Sequence, residues 1–383
     1  MTSKKSPLYI QIMEFIKNKI SNKEILPDEK LPTEKELSEL FDVSRITSKR
    51  ALDELERDDL IYRVRGSGSF VSPVTNESDQ LNIDSKLVAM VLPFVSSMGR
   101  LMDTIKGATE YLNKKGYYLS IHSTERNIKK EKDLINELVG KNIAGIIYYP
   151  ISDRYNLELI NNLYLEKFPI VAIDKFFESI PISYVMSDNF LGGHEATECL
   201  IEKGHQKIGY ISGVMIEDVV SVRQRYFGYC RVLKKNNIVI DDSIIKLGLG
   251  KNLGSFIDID DKALDSLKII IEDLIDKGVT AILTENDYVA LNIIKICKKT
   301  GIDIPHDLSV IGFDNIEMSS NFSVPLTTIA QNFQEIGRKA SEIIVKSVEE
   351  HHYDYEQITL PVKLVERESC CSLDISNTKE GAI

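Results

Sequence analysis

PTEKELSELFDVSRITSKRALDELERDDLIYRVRGSGSFV, residues 32–71, changes its period twice, and the two changes decide how the N-terminal segment folds. Thr33-Glu34-Lys35-Glu36 is a capping-box pattern: the threonine caps a helix and the glutamate three residues on reaches back, predicting a short helix through Leu40. Phe41-Asp42-Val43 breaks that period as a turn. Ser44 is placed to cap a second helix, with Ile46, Ala51, Leu52 and Leu55 as its buried side and an end near Asp58. From Leu60 to Val71 the pattern becomes two short strands around glycines, and Gly66 lets the turn approach another backbone closely. Upstream, Leu8, Ile12, Phe15, Ile16 and Ile20 recur at helical spacing. Helix, turn, helix and hairpin in this order make a winged helix-turn-helix, an α+β unit over residues 1–71.

Residues 72–85 are polar and unpatterned and read as a linker. Beyond them the rhythm changes. Candidate strands at Leu87–Leu92, Tyr117–Ile121, Ile143–Tyr149, Ile170–Ile173, Tyr184–Ser187, Ile208–Ile211, Ala281–Thr284 and Ser309–Phe313 are separated by longer helical patterns such as Lys130–Val139 and Val289–Thr300. Such alternation predicts an α/β body with parallel sheets, in which ligands bind just after the carboxyl ends of strands.

The chain carries a net charge of −11, but residues 1–71 hold thirteen basic and thirteen acidic side chains, so the whole excess lies in the body. An acidic body repels phosphate, and any nucleic-acid contact has to come from local charge in the first segment. No apolar run approaches the roughly 18–20 residues that span a bilayer. The N-terminus, charged and amphipathic, lacks the pattern of a secretory signal, so a cytoplasmic protein without a membrane partner is expected. Five scattered cysteines without a CxxC pair suggest neither disulfides nor a metal site, and Cys370-Cys371 reads as part of a tail, residues 369–383.

LPTEKEL, VSRITSKRALDEL and RGSGSFV, in this order and spacing, resemble the winged head of the GntR family over residues 6–71. Asp58-Asp59-Leu60 departs from it, since the family has a glycine before the wing. The expected partner is double-stranded operator DNA. Arg45 and Lys49 lie four apart on one helix face with Thr47 between them, where a helix in the major groove meets base edges; Arg45 is the candidate base reader. Lys35, Lys49 and Arg50 suit phosphates, Thr33 and Ser44 offer helix N-termini, and Gly66 admits a backbone contact at the wing tip.

GIIYYP, AIDK, SDNFLGG, HQKIGYISG, RYFG, TENDYVALNIIK, DLSVIGFDN and PLTTIAQNF make residues 86–368 resemble the periplasmic-binding-protein-like effector domain of the LacI/GalR family. A GntR-type head on such a body is the arrangement of the arabinose repressor (AraR) group. The resemblance implies two lobes joined by three crossings, roughly 86–187 with 305–333 and 188–304 with 334–368, and a small-molecule effector, a sugar, held between them by a homodimeric regulator. It matches Asp174, Arg225 and Asp287 to ligand-binding positions; a helix cap is the bland reading of Asp287. Charged groups of this kind satisfy sugar hydroxyls. The chain has no tryptophan, so Phe94, Tyr149, Phe176 and Phe313, all placed after strands, are the candidate faces for a sugar ring, with core packing the competing reading of Phe313.

No catalytic residues, cofactor or metal are expected. GxSxG, HExxH and GxxxxGK[ST] are absent, and Gly192-Gly193 resembles a phosphate loop only weakly. The alternatives are a regulator answering to a purine or sugar phosphate, or, in another class, a cytoplasmic sugar-binding or sugar-metabolising protein.

Overall fold

The computed structural model describes residues 8–21, 24–57, 60–64, 67–72, 86–94, 100–253, 256, 259–350 and 354–373. The chain divides between Ile83 and Asp84 into two compact units, a head and a body.

The head runs α1 (Leu8–Ser21), α2 (Glu34–Leu40), α3 (Arg45–Arg57), β1 (Ile61–Val64) and β2 (Gly68–Val71). The two strands pair antiparallel, Ile61 opposite Val71 and Val64 opposite Gly68, forming the wing. The predicted capping box forms at Thr33, and the helices close over Ile12, Ile16, Leu37, Leu52 and Leu55. One expectation fails. Ile46 is not buried but 81% exposed, because the inward stripe of α3 is Ser48, Ala51, Leu52 and Leu55 and Ile46 lies roughly 200° around the helix from Ser48.

In the body, one sheet is built from β3 (Leu87–Leu92), β4 (Tyr118–Ser123), β5 (Gly145–Tyr148), β6 (Ile170–Ile173), β7 (Ser183–Ser187) and β13 (Gln357–Leu360), all parallel in the order β13-β7-β6-β5-β3-β4. It carries the helices α4 (Arg100–Lys114), α5 (Ile128–Val139), α6 (Leu157–Leu165) and α13 (Phe333–Glu349). The second sheet takes β8 (Ile208–Ile211), β9 (Ile245–Lys246), β10 (Ala281–Thr284), β11 (Ser309–Asp314), β12 (Thr327–Ala330) and β14 (Lys363–Val365), ordered β14-β12-β11-β10-β8-β9, with only β14 antiparallel. Around it lie α7 (Asn189–Glu202), α8 (Val220–Lys235), α9 (Gly250–Leu253), α10 (Asp261–Asp276), α11 (Asp287–Thr300) and α12 (Glu317–Asn321). Central strands such as β5, β6 and β10 are buried on both faces, as covered parallel sheets require. The second sheet also holds β9, β12 and β14, which sequence periodicity did not pick out because they are short and carry few consecutive apolar residues.

The expected lobe boundaries need correction. Residues 305–330 belong to the second lobe, since β11 pairs with β10 with Ser309 opposite Ala281, while α13 and β13 return to the first. Three crossings remain, after Ser187, after Ala330 and after Leu360. Nor does a tail begin at Ser369. Its hydroxyl donates to the Val310 carbonyl at 2.6 Å, Cys370 is buried, and the Leu373 amide bonds the Lys203 carbonyl, so packed chain continues to Leu373. Among the described residues, no helix is long and apolar enough to cross a membrane.

Candidate functional site

In the head, Arg45, Lys49 and Arg50 are exposed along α3 and Thr47 is half-buried. Arg45, Thr33, Lys35, Arg63, Gly68 and Ser69 line one groove of about 420 Å³ between the start of α2, the start of α3 and the wing. One expected role changes, and the capping expected of Ser44 is found. The Thr33 amide is not free for phosphate, because it donates to the Glu36 carboxylate at 2.7 Å, as does the Thr33 hydroxyl at 2.9 Å. Ser44 accepts from the Thr47 amide at 3.3 Å and shares a hydrogen bond with the Thr47 hydroxyl at 2.9 Å, so it acts as the cap of α3. Arg50 is held over the Tyr9 ring, 4.1 Å from its centroid, and Lys35 lies 3.8 Å from Glu39. Arg63, from the wing, is neutralised by Asp53 at 2.7 Å and Glu56 at 3.2 Å. Gly66 lies outside the described residues.

In the body, a cavity of about 630 Å³ opens between the lobes at the carboxyl ends of the strands, within the size range of small-molecule sites. Phe94, Tyr149, Asp174 and Arg225 all line it, whereas Phe176 does not and stacks on Tyr184 with ring centroids 5.0 Å apart. Asp174, directly after β6, sits at φ 64°, in the left-handed region that non-glycine residues enter only under constraint, and its carboxylate accepts from Ser221 of the other lobe at 3.3 Å. Lys175 beside it is buried, donates to the carbonyls of Pro150 and Ile151 at 2.6 and 3.0 Å, and lies 4.9 Å from the Tyr149 ring. Burial pushes its ammonium down to about 8, with Asp174 holding it up in part.

Arg225 is placed by a close helix contact. A Cβ on Gly193 would lie 2.1 Å from the Arg225 carbonyl oxygen, and one on Gly228 2.3 Å from that of Phe190, so both glycines serve the approach of α7 to α8 and not a phosphate. The guanidinium donates to Asn189 at 2.8 Å and to the Glu285 carbonyl, lies 3.7 Å from Asp314, and stacks 3.8 Å above the Phe313 ring. Phe313 is therefore a floor beneath Arg225, fully buried and outside the cavity lining. Asp314 also pairs with Arg100 of the first lobe at 3.0 Å. Burial raises the Asp314 carboxyl, while Arg100 and Arg225 oppose that rise.

Asp287 departs from its expected place. It neither lines the cavity nor caps α11, a role filled by Asn286, whose side chain accepts from the Val289 amide. Fully buried, it accepts from the Ile316 amide at 2.9 Å and the Thr328 hydroxyl at 2.5 Å, tying α11 to the segments that flank α12. Sequence reading missed Arg100, Arg126 and Glu285, all in the lining. Nothing in their local pattern marks them; Arg126 is brought to Phe94, 4.8 Å from its ring, by left-handed backbone at Glu125 and Arg126.

Residues 8–71 match the family described as bacterial regulatory proteins, gntR family, and residues 197–370 match the periplasmic binding protein-like domain. The arabinose metabolism transcriptional repressor of Geobacillus stearothermophilus is 28% identical over 362 residues, covering 92% of this chain and 94% of the relative. The HTH-type transcriptional repressor PurR of Vibrio atlanticus is 30% identical over 321 residues, covering 80% of this chain and 92% of the relative. Among solved structures, a periplasmic binding protein/LacI transcriptional regulator from Alkaliphilus metalliredigens complexed with D-xylulofuranose superposes with a TM-score of 0.61 at 26% identity, over 75% of this chain and all of that one. The chain thus belongs to the DNA-binding transcription regulators that join a GntR-family head to a periplasmic binding protein-like body.

Proposed function

We propose that this protein is a cytoplasmic, homodimeric repressor of a carbohydrate-utilisation operon, and that it leaves its operator when a sugar of the arabinose type binds between the lobes. The observation that carries this reading is the two-sided cleft. Asp174 and Tyr149 come from the first lobe and Ser221 and Arg225 from the second, so a polyhydroxylated ligand bonded to all of them favours the closed body. The name of the Geobacillus relative and the sugar in the Alkaliphilus structure support the ligand class. Melting the full chain against pentoses, hexoses, purines and sugar phosphates tests it, because a ligand at 100 times its dissociation constant stabilises by about 2.7 kcal/mol. A shift confined to purines would overturn the sugar assignment. The sugar-phosphate reading has its own support in Arg126 and Lys251, exposed cations on the cleft rim.

For the head, Arg45→Ala is expected to cost about 1–3 kcal/mol on the operator and to relax preference at one position, while Lys35→Ala weakens all sequences alike and lowers the salt slope. Equal losses for Arg45→Ala on operator and random duplex would remove its base-reading role. One small head contacts little DNA, and two heads on two half-sites give the specificity a regulator needs. Sedimentation at micromolar concentration is expected to give a dimer mass, and a monomer with and without operator would exclude that assembly.

A further inference from the structure

Ile46 is 81% exposed on the first turn of α3, between Arg45 and Thr47. Folding gains nothing from it there. A β-branched residue is only a middling helix former, and the stripe that packs the head is Ser48, Ala51, Leu52 and Leu55. Ile46 heads the opposite stripe with Lys49, Arg50 and Asp53, every one exposed. Single exposed apolar residues are common on protein surfaces, but this one occupies the turn that meets base edges when a recognition helix enters the major groove. In that groove the bases present amino donors, carbonyl and ring-nitrogen acceptors, and one apolar group, the C5 methyl of thymine. An isoleucine set against any of the polar edges would strip water from them and return no hydrogen bond.

We infer that Ile46 reads a thymine methyl and so sets a preference for thymine at one or two positions of the operator, next to the base read by Arg45. This rests on the DNA-binding role of the head and adds a specificity determinant to it. The branched side chain reaches outward with two methyl-bearing arms, enough to touch one methyl or two on successive steps. Contact is apolar and carries no charge, so its contribution is insensitive to salt, unlike those of Lys35 and Lys49.

The test uses the full chain and a duplex that the wild-type protein selects from a random-sequence library. Each thymine of that duplex is replaced singly by deoxyuridine, which lacks only the methyl, and binding is read by fluorescence anisotropy at fixed salt. The wild type is expected to lose about three- to fivefold at one or two positions, the worth of one buried methyl. Ile46→Ala should bind the parent duplex more weakly and be indifferent at those positions, whereas Ile46→Val keeps the sensitivity; both variants should melt with the wild type. The inference is overturned if no replacement weakens the wild type, if Ile46→Ala retains the full loss at every position, or if Ile46→Ala lowers the melting temperature. Selection of a preferred duplex that is indifferent to deoxyuridine sinks only the Ile46 assignment; failure to select any preferred duplex sinks the DNA-binding reading with it.

Discussion

Arg225→Met is expected to keep operator binding within a few-fold of the wild type and to raise the effector concentration needed for release by at least about 100-fold. The guanidinium is 3% exposed and already fixed, by Asn189 at 2.8 Å, the Glu285 carbonyl and the Phe313 ring, so ligand binding spends little on ordering it. Two charge-assisted bonds to a ligand, at about 1.5–3 kcal/mol each, come to about 3–6 kcal/mol, and a hundredfold change in effector concentration corresponds to about 2.7 kcal/mol. The variant should still fold. Methionine keeps apolar contact with Phe313, and Asp314 retains Arg100 at 3.0 Å and Gln331 at 2.5 Å, so no buried carboxylate is orphaned. Operator titrations with and without effector, beside thermal melts, decide the matter. Full inducibility at the wild-type effector concentration would remove Arg225 from the ligand site.

Asp287→Ala is expected to act on stability instead, lowering it by about 2–5 kcal/mol while the surviving folded protein still responds to effector. Alanine leaves the Ile316 amide and the Thr328 hydroxyl without their acceptor in a site closed to water. Burial, with Asp314 adding to it, pushes the Asp287 carboxyl up to about 8, against about 3.9 for an unfolded aspartate. The folded state therefore holds a proton that the unfolded state gives up. That contribution is fully present below about pH 4 and is lost as pH rises through about 8. Melting temperature should fall between these limits, and Asp287→Asn, neutral at every pH, should flatten the fall. Lys175, shifted down to about 8, acts in the window above and with the opposite sign. A melting curve for Asp287→Asn as steep in pH as the wild type would show that Asp287 stays ionised.

Arg225 and Asp287 look alike in the sequence, since the family resemblance matches both to ligand positions, and both are buried and charged. Only Arg225 reaches the cavity; Asp287, first residue of α11, turns inward to the start of α12 and to β12.

Features that local chemistry decides are legible in the sequence. Thr33 and Glu36 close a capping box within four residues, the wing follows from alternating residues around glycines, and β5, β6 and β10 are apolar enough to be central strands without reference to anything distant. The order of motifs along the chain marked out the two units. Tertiary structure alone decided which lobe owns β11 and β12, because a strand's sheet is set by a partner far along the chain. It alone turned Ile46 outward and Asp287 inward, since helix orientation depends on which of two faces finds a neighbour. It alone brought Arg100 to Asp314 across 214 residues and Ser221 to Asp174 across 47. Local propensity acts over a few residues and is written in them, whereas burial and ion pairing are properties of the packed whole.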